Sequence, residues 1–114
     1  MSAAAFAKMK PGAFFINVSR GNLVDEQALV AALDAGRIAG CAMDVGRAAD
    51  QMPTPRLAAR ADVIATPHTA GLTLPAIEHQ SLGTVAQARE IMDGRAPKGS
   101  VNAEHWTRKS RIGR

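Results

Sequence analysis

A chain of 114 residues, 46% hydrophobic and 21% charged, is long enough for one core and has the composition of an ordinary globular domain, which excludes disordered and fibrous classes. Its formal charge of +4 comes from Arg108, Lys109, Arg111 and Arg114, because Lys and Arg balance Asp and Glu over residues 1–105; no folded basic face for nucleic acid is indicated. A single cysteine excludes a disulfide framework, and no apolar run approaches the ~18 residues of a membrane span, so a cytoplasmic setting without membrane contact is expected.

Ser2 to Met9 is alanine-rich and predicts a short helix with Ser2 as its N-cap, before Pro11-Gly12 turns the chain. Ala13 to Val18 has the length and the Phe, Ile and Val content of a strand buried on both faces, broken by Ser19-Arg20-Gly21. Asp25 is placed to cap a helix with Leu29, Ala32 and Leu33 on one face and Gly36 at its stop. Ile38 to Val45 predicts a second buried strand, with Cys41 inside it as a small apolar residue and Asp44 near its end. Gly46 to Arg60 lacks apolar periodicity and contains Pro53 and Pro55, which predicts a long loop with one helical turn near Leu57 to Arg60.

Asp62 to Thr66 predicts a third strand, ended by Pro67-His68. Thr73 then caps the longest helix, with Pro75 in its first turn and Ile77, Val85, Ala88 and Met92 along one face up to Gly94. Pro97 to Asn102 reads as extended, and residues 104–114 as a basic, disordered tail. The order strand, helix, strand, strand, helix predicts an α/β fold with a parallel sheet and flanking helices.

If the sheet is parallel, Arg20, Asp44 and His68 all lie on the rim formed by the carboxyl ends of the strands, where open α/β sheets bind ligands. From the residues alone, Arg20 reads either as a surface ion-pairing arginine or as a planar fork for a carboxylate or phosphate. His68 reads either as a cap or core histidine or as an acid/base group. Together, a cation, a carboxylate and an imidazole on one cleft are equipment for an anionic carbonyl or hydroxyl substrate. His79 and His105 fit no such pattern and read as surface residues, and no metal site is read from the sequence.

Lys10-Pro11-Gly12-Ala13, Ile16-Asn17, Ser19-Arg20-Gly21, Val24-Asp25, Ala28-Leu29, Gly40 with Ala42 to Val45, and Thr66-Pro67-His68 followed by Gly71 stand in one order and spacing. In these motifs the sequence resembles the carboxyl-terminal half of the D-isomer-specific 2-hydroxyacid dehydrogenases over residues 3–103. The resemblance implies a partial doubly wound, Rossmann-like domain over residues 1–103, ending in the segment that returns toward a substrate domain. It also implies hydride transfer between NAD or NADP and a D-2-hydroxy or 2-oxo acid. Arg20 matches the family's substrate-binding arginine, His68 its acid/base histidine and Asp44 the aspartate at the nicotinamide amide; Ser19 and Gly71 match positions lining the same cofactor pocket. A homodimer is also implied.

Two departures accompany the match. None of the ten glycines forms even G-x-G, so the phosphate-binding turn and the acidic ribose reader are expected upstream of residue 1, in a protein of roughly 300 residues. The chain alone is therefore expected to be inactive. The second departure is Gly46-Arg47-Ala48-Ala49: the family's aromatic is replaced by Gly46 and its histidine-pairing glutamate by Ala49, while a one-residue slip brings Asp50 forward as substitute. That loss leaves two further readings beside the enzyme: a non-catalytic cofactor-sensing or regulatory protein on the same fold, and a remnant that folds poorly.

Overall fold

The computed structural model describes residues 1–105, so Trp106 and the basic residues of the expected tail lie outside the described residues. The chain divides into two compact units, Met1–Gly71 and the part from Leu72 on. The first unit is an α/β layer. Its elements are α1 (Ala3–Ala7), β1 (Phe14–Asn17), α2 (Glu26–Asp34), β2 (Gly40–Met43), α3 (Pro55–Ala58) and β3 (Val63–Ala65). The three strands form one parallel sheet in the order β1-β2-β3, with Asn17 beside Met43 and Met43 beside Ala65. All three carboxyl ends therefore face the same rim, as the sequence predicts.

Helix α2 begins where Asp25 accepts a hydrogen bond from the Ala28 N–H at 3.1 Å, a cap that contributes about 1 kcal/mol. It ends at Gly36, with φ of 60°, where the Gly36 N–H reaches the Leu33 carbonyl and the Arg37 N–H the Ala32 carbonyl. This paired closure needs a left-handed residue, which glycine supplies without steric cost. Between those caps Ala28, Leu29, Val30, Ala32 and Leu33 are buried. They meet Phe6 of α1, Ile38, Cys41, Met43, Leu57 of α3 and Val63 in one core, and Phe6 stands edge-on to Phe15 with centroids 5.3 Å apart. Cys41 is buried as expected, and its thiol is pushed up to about 11, first by burial and then by the nearby Asp62 charge. Arg60 clasps the end of α2 to the start of β3, bonding Asp62 through two nitrogens at 2.8 Å and Asp34 at 2.6 Å.

The expectation for β1 is corrected in one respect. Its residues alternate, with Phe15 and Asn17 toward the helices and Phe14 and Ile16 exposed by 71% and 67%, and Ile64 of β3 is 70% exposed. Ile16, Ala42 and Ile64 stand side by side in the register, so the first unit covers one face of its sheet and leaves an apolar row on the other. A strand that is apolar on both sides reads the same in sequence whether one or two layers cover it. Smaller differences are in lengths: α1 is shorter than Ser2 to Met9 and Ser2 makes no side-chain cap, while the helical turn of the long loop starts at Pro55.

In the second unit, α4 (Leu74–Met92) starts at Thr73, whose hydroxyl accepts from the Ala76 N–H at 3.4 Å, and closes at Gly94. It carries no buried residue. Ala103–His105 form a short 3₁₀ turn where the sequence reading begins its disordered tail. Among the described residues, no helix is long and apolar enough to cross a membrane.

Candidate active site

Three connections leave the carboxyl ends of the strands, and each is shaped by a short polar residue. After β1 the organiser is Asn17, buried to 6% exposure: its Nδ2 donates to the Arg20 carbonyl and its Oδ1 accepts from the Ser19 N–H, both at 3.1 Å. One amide thus folds the turn that carries Ser19 and Arg20 out to solvent, where the Arg20 Nη1 donates to the Ser19 carbonyl at 2.7 Å. Sequence reasoning singled out Ser19 and Arg20 and overlooked the role of Asn17. The available signal was an Asn two residues before the amide it accepts, the spacing of an Asx turn.

The turn runs on into Gly21, which is buried against the loop following β2. A Cβ at Gly21 would lie 1.9 Å from the Gly46 carbonyl oxygen, and one at Gly46 would lie 2.3 Å from the Met52 carbonyl oxygen and 2.4 Å from the Pro53 Cα. The loop has closed over the place where the resemblance implies an aromatic, so no side chain fits at residue 46. Loop closure also engages the two residues that follow Ala49. The Asp50 Oδ1 accepts from the Met52 N–H at 3.0 Å, and Gln51, with φ of 64°, offers its carbonyl to the Gly46 N–H. Among the described residues no hydrogen bond or ion pair joins Asp50 to His68.

Asp44, directly after β2, is 5% exposed and is the centre of the third connection. Its Oδ1 accepts from the Thr66 hydroxyl at 2.6 Å and from the Thr69 N–H at 2.9 Å, and its Oδ2 from the Ala70 N–H at 3.0 Å. These bonds hold the Asp44 carboxyl below its ordinary value, the Thr66 hydroxyl contributing most and the His68 charge adding to the backbone amides, against the opposing effect of burial. His68 lies inside the segment so held. Its N–H reaches back to the Thr66 carbonyl at 2.9 Å, its φ is 54°, and its side chain is half-buried. A left-handed φ on a non-glycine residue costs about 1 kcal/mol, and the carboxylate clamp immediately after it keeps the backbone there. Gly71 follows in the 3₁₀ turn Ala70–Leu72.

The rim therefore brings Asp44 and the His68 segment into direct contact and sets Arg20 beside the loop of Gly46 to Gln51. Asp44 Oδ1 already accepts two hydrogen bonds and Oδ2 one, which leaves Oδ2 one acceptor position for a donor such as a carboxamide.

Residues 1–70 match the family described as D-isomer specific 2-hydroxyacid dehydrogenase, NAD binding domain. The D-3-phosphoglycerate dehydrogenase of Synechocystis is 37% identical over 102 residues, covering 90% of this chain and 18% of that protein. Among solved structures, a D-isomer specific 2-hydroxyacid dehydrogenase from Xanthobacter autotrophicus Py2, in complex with NADPH and MES, is 36% identical with a TM-score of 0.69. That match covers 91% of this chain and 42% of the other. The D-lactate dehydrogenase of Lactobacillus jensenii, solved with NAD+, is 29% identical with a TM-score of 0.63, over 86% of this chain and 33% of the other. The chain thus spans less than half the length of each of these proteins.

Proposed function

The chain belongs to the D-isomer specific 2-hydroxyacid dehydrogenase family, through its NAD binding domain, and from that premise we propose that it forms the catalytic side of an NAD- or NADP-dependent oxidoreductase acting on a D-2-hydroxy acid. The observation that carries the reading is the parallel register, which sends the Arg20 turn, Asp44 and the His68 segment off one rim. When bound, the nicotinamide supplies or accepts the hydride. Asp44 and the backbone of Ser19 and Gly71 would hold its carboxamide end, and the one open acceptor position of the Asp44 Oδ2 fits such a donor.

Arg20 would take the substrate carboxylate in its planar fork and set the neighbouring carbonyl at the rim. His68 would give a proton to the carbonyl oxygen in reduction and take it from the hydroxyl in oxidation. We assign Asp50 to closing its loop and Asp44 to holding the His68 segment, since the hydrogen bonds of each support those roles. Residues 1–103 are read as the dinucleotide-domain part, acting in the cytoplasm, and the absence of any G-x-G among the ten glycines leaves the phosphate cradle to other residues of a longer protein.

The test is a chimera in which residues 1–103 replace the corresponding part of the L. jensenii enzyme. We expect it to oxidise D-lactate, with Arg20→Gln and His68→Gln each lowering kcat/KM by roughly a hundredfold or more. A chimera that folds and binds NAD+ yet never turns over would instead favour the cofactor-sensing, non-catalytic alternative. We also read the chain as a homodimer, on the support of the exposed Phe14, Ile16 and Ile64 row. Sedimentation velocity should give a dimer that Ile16→Lys converts to monomer; a monomeric parent at all concentrations would refute this.

A further inference from the structure

One cavity in the first unit is larger than a single carboxylate needs. It has a volume of about 490 Å³ and is bordered by Arg20, Gly21, Asn22, Gly46, Arg47 and Gln51. No acid borders it. Two arginines do, and they arrive from different connections: Arg20 from the turn after β1, Arg47 from the loop after β2. The contact between Gly21 and Gly46 fixes the two connections against each other, so the neighbourhood of Arg20 and Arg47 is set by backbone packing.

Among the described residues, neither arginine has a carboxylate partner. Arg20 Nη1 donates to the Ser19 carbonyl, and Arg47 Nη1 to the Val24 carbonyl at 3.3 Å. Elsewhere in the described chain Arg60 pairs with Asp34 and Asp62 and Arg95 with Asp93, while Arg37 bonds only backbone carbonyls. The nearest acid in the loop, Asp50, has one oxygen on the Met52 N–H. Both guanidiniums border the one cavity, and each retains further N–H donors arranged for a carboxylate or phosphate.

On the reading that Arg20 takes the carboxylate next to the reacting carbon, we infer that the substrate carries a second anionic group, a carboxylate or phosphate, and that Arg47 is the residue that selects for it. Arg47 then acts as a specificity determinant at the far end of the acid. A second anionic group meeting the exposed Arg47 guanidinium favours a doubly charged acid over the corresponding monoanion, and the discrimination weakens as salt rises.

Amide spectra of the 114-residue chain titrated with D-lactate, D-malate and D-3-phosphoglycerate test this. At least one of the two acids that carry a second anionic group is expected to bind about tenfold more tightly than D-lactate. The stronger of them identifies the second group as carboxylate or phosphate. Arg47→Gln should bring the affinity ratio close to one, and Arg47→Lys, which keeps the charge and serves as a check on folding, should retain part of it. Equal affinities in the parent chain, an undiminished ratio in Arg47→Gln, or no binding of D-malate or D-3-phosphoglycerate by a chain with dispersed spectra would each overturn the assignment. Failure of the underlying reading has a different signature: Arg20→Gln would then leave the binding of all three acids unchanged.

Discussion

Asp44→Ala is expected to lower the stability of the chain by roughly 2 to 3 kcal/mol, because it removes three hydrogen bonds, from the Thr66 hydroxyl and the Thr69 and Ala70 amides, to one buried carboxylate. No other side chain of the described residues accepts as many bonds from a separate segment. The loss should be local before it is global. With the clamp gone, His68 has little reason to keep its left-handed φ, and the turn from Thr66 to Gly71 should relax first. Asp44→Asn, which keeps the volume but sets an NH2 group against at least one donor, should fall between the parent and Asp44→Ala.

The pH dependence has a definite sign. The Asp44 carboxyl lies below its ordinary value of 3.8 in the folded chain, so its contribution is complete above that value and is lost as pH falls through the folded one. Urea unfolding of the parent and of Asp44→Asn at several pH values between about 6 and 2 should therefore show the two stabilities converging toward acid. A difference between them that stays constant across the range would mean that the carboxylate charge is not what Thr66, Thr69 and Ala70 read.

Gly21→Ala is the second change expected to be severe, at about 3 kcal/mol or more, although it adds a single methyl group. The added carbon would stand 1.9 Å from the Gly46 carbonyl oxygen, which is backbone and cannot swing aside as a flexible side chain would. Gly46 in turn is pressed by Met52 and Pro53, so the strain passes along the loop instead of being absorbed. Gly83→Ala provides the contrast. Gly83 lies inside α4 with nothing within 4 Å of a new Cβ, and there alanine should be neutral or stabilising by up to about 1 kcal/mol. Thermal unfolding of both variants would decide the matter, since similar midpoints would remove the argument from close packing at Gly21.

The strand ends were legible because punctuation is local: Ser19-Arg20-Gly21 and Pro67-His68 break apolar runs whatever surrounds them, and Asp25 and Gly36 mark a helix with its own caps. Three strands of one direction then follow from the connections, and with them the shared rim. Coverage of the sheet was not legible, since Phe14 and Ile16 have the same residue types they would have under a second layer. The candidate site was legible only in part. Arg20, Asp44 and His68 could be named, but the bonds of Asp44 to Thr66, Thr69 and Ala70 join residues more than 20 positions apart and depend on the β2–β3 register. Arg47 stayed hidden for the same reason, because a loop without periodicity gives no hint of which earlier turn it closes upon.

The all-parallel register also governs how quickly this sheet can form. Phe14 pairs with Gly40 and Cys41 with Val63, partners 26 and 22 residues apart, and no two strands are joined by a hairpin. Chain entropy of that order must be surrendered before the first inter-strand bond is gained, so pairing cannot zip outward from a turn. The segment that can form early from its own local signals is α2, capped at both ends and lying between β1 and β2 in sequence. Its apolar side gives the two strands a common surface on which to meet, so that assembly of the rim draws on a helix remote from the chemistry.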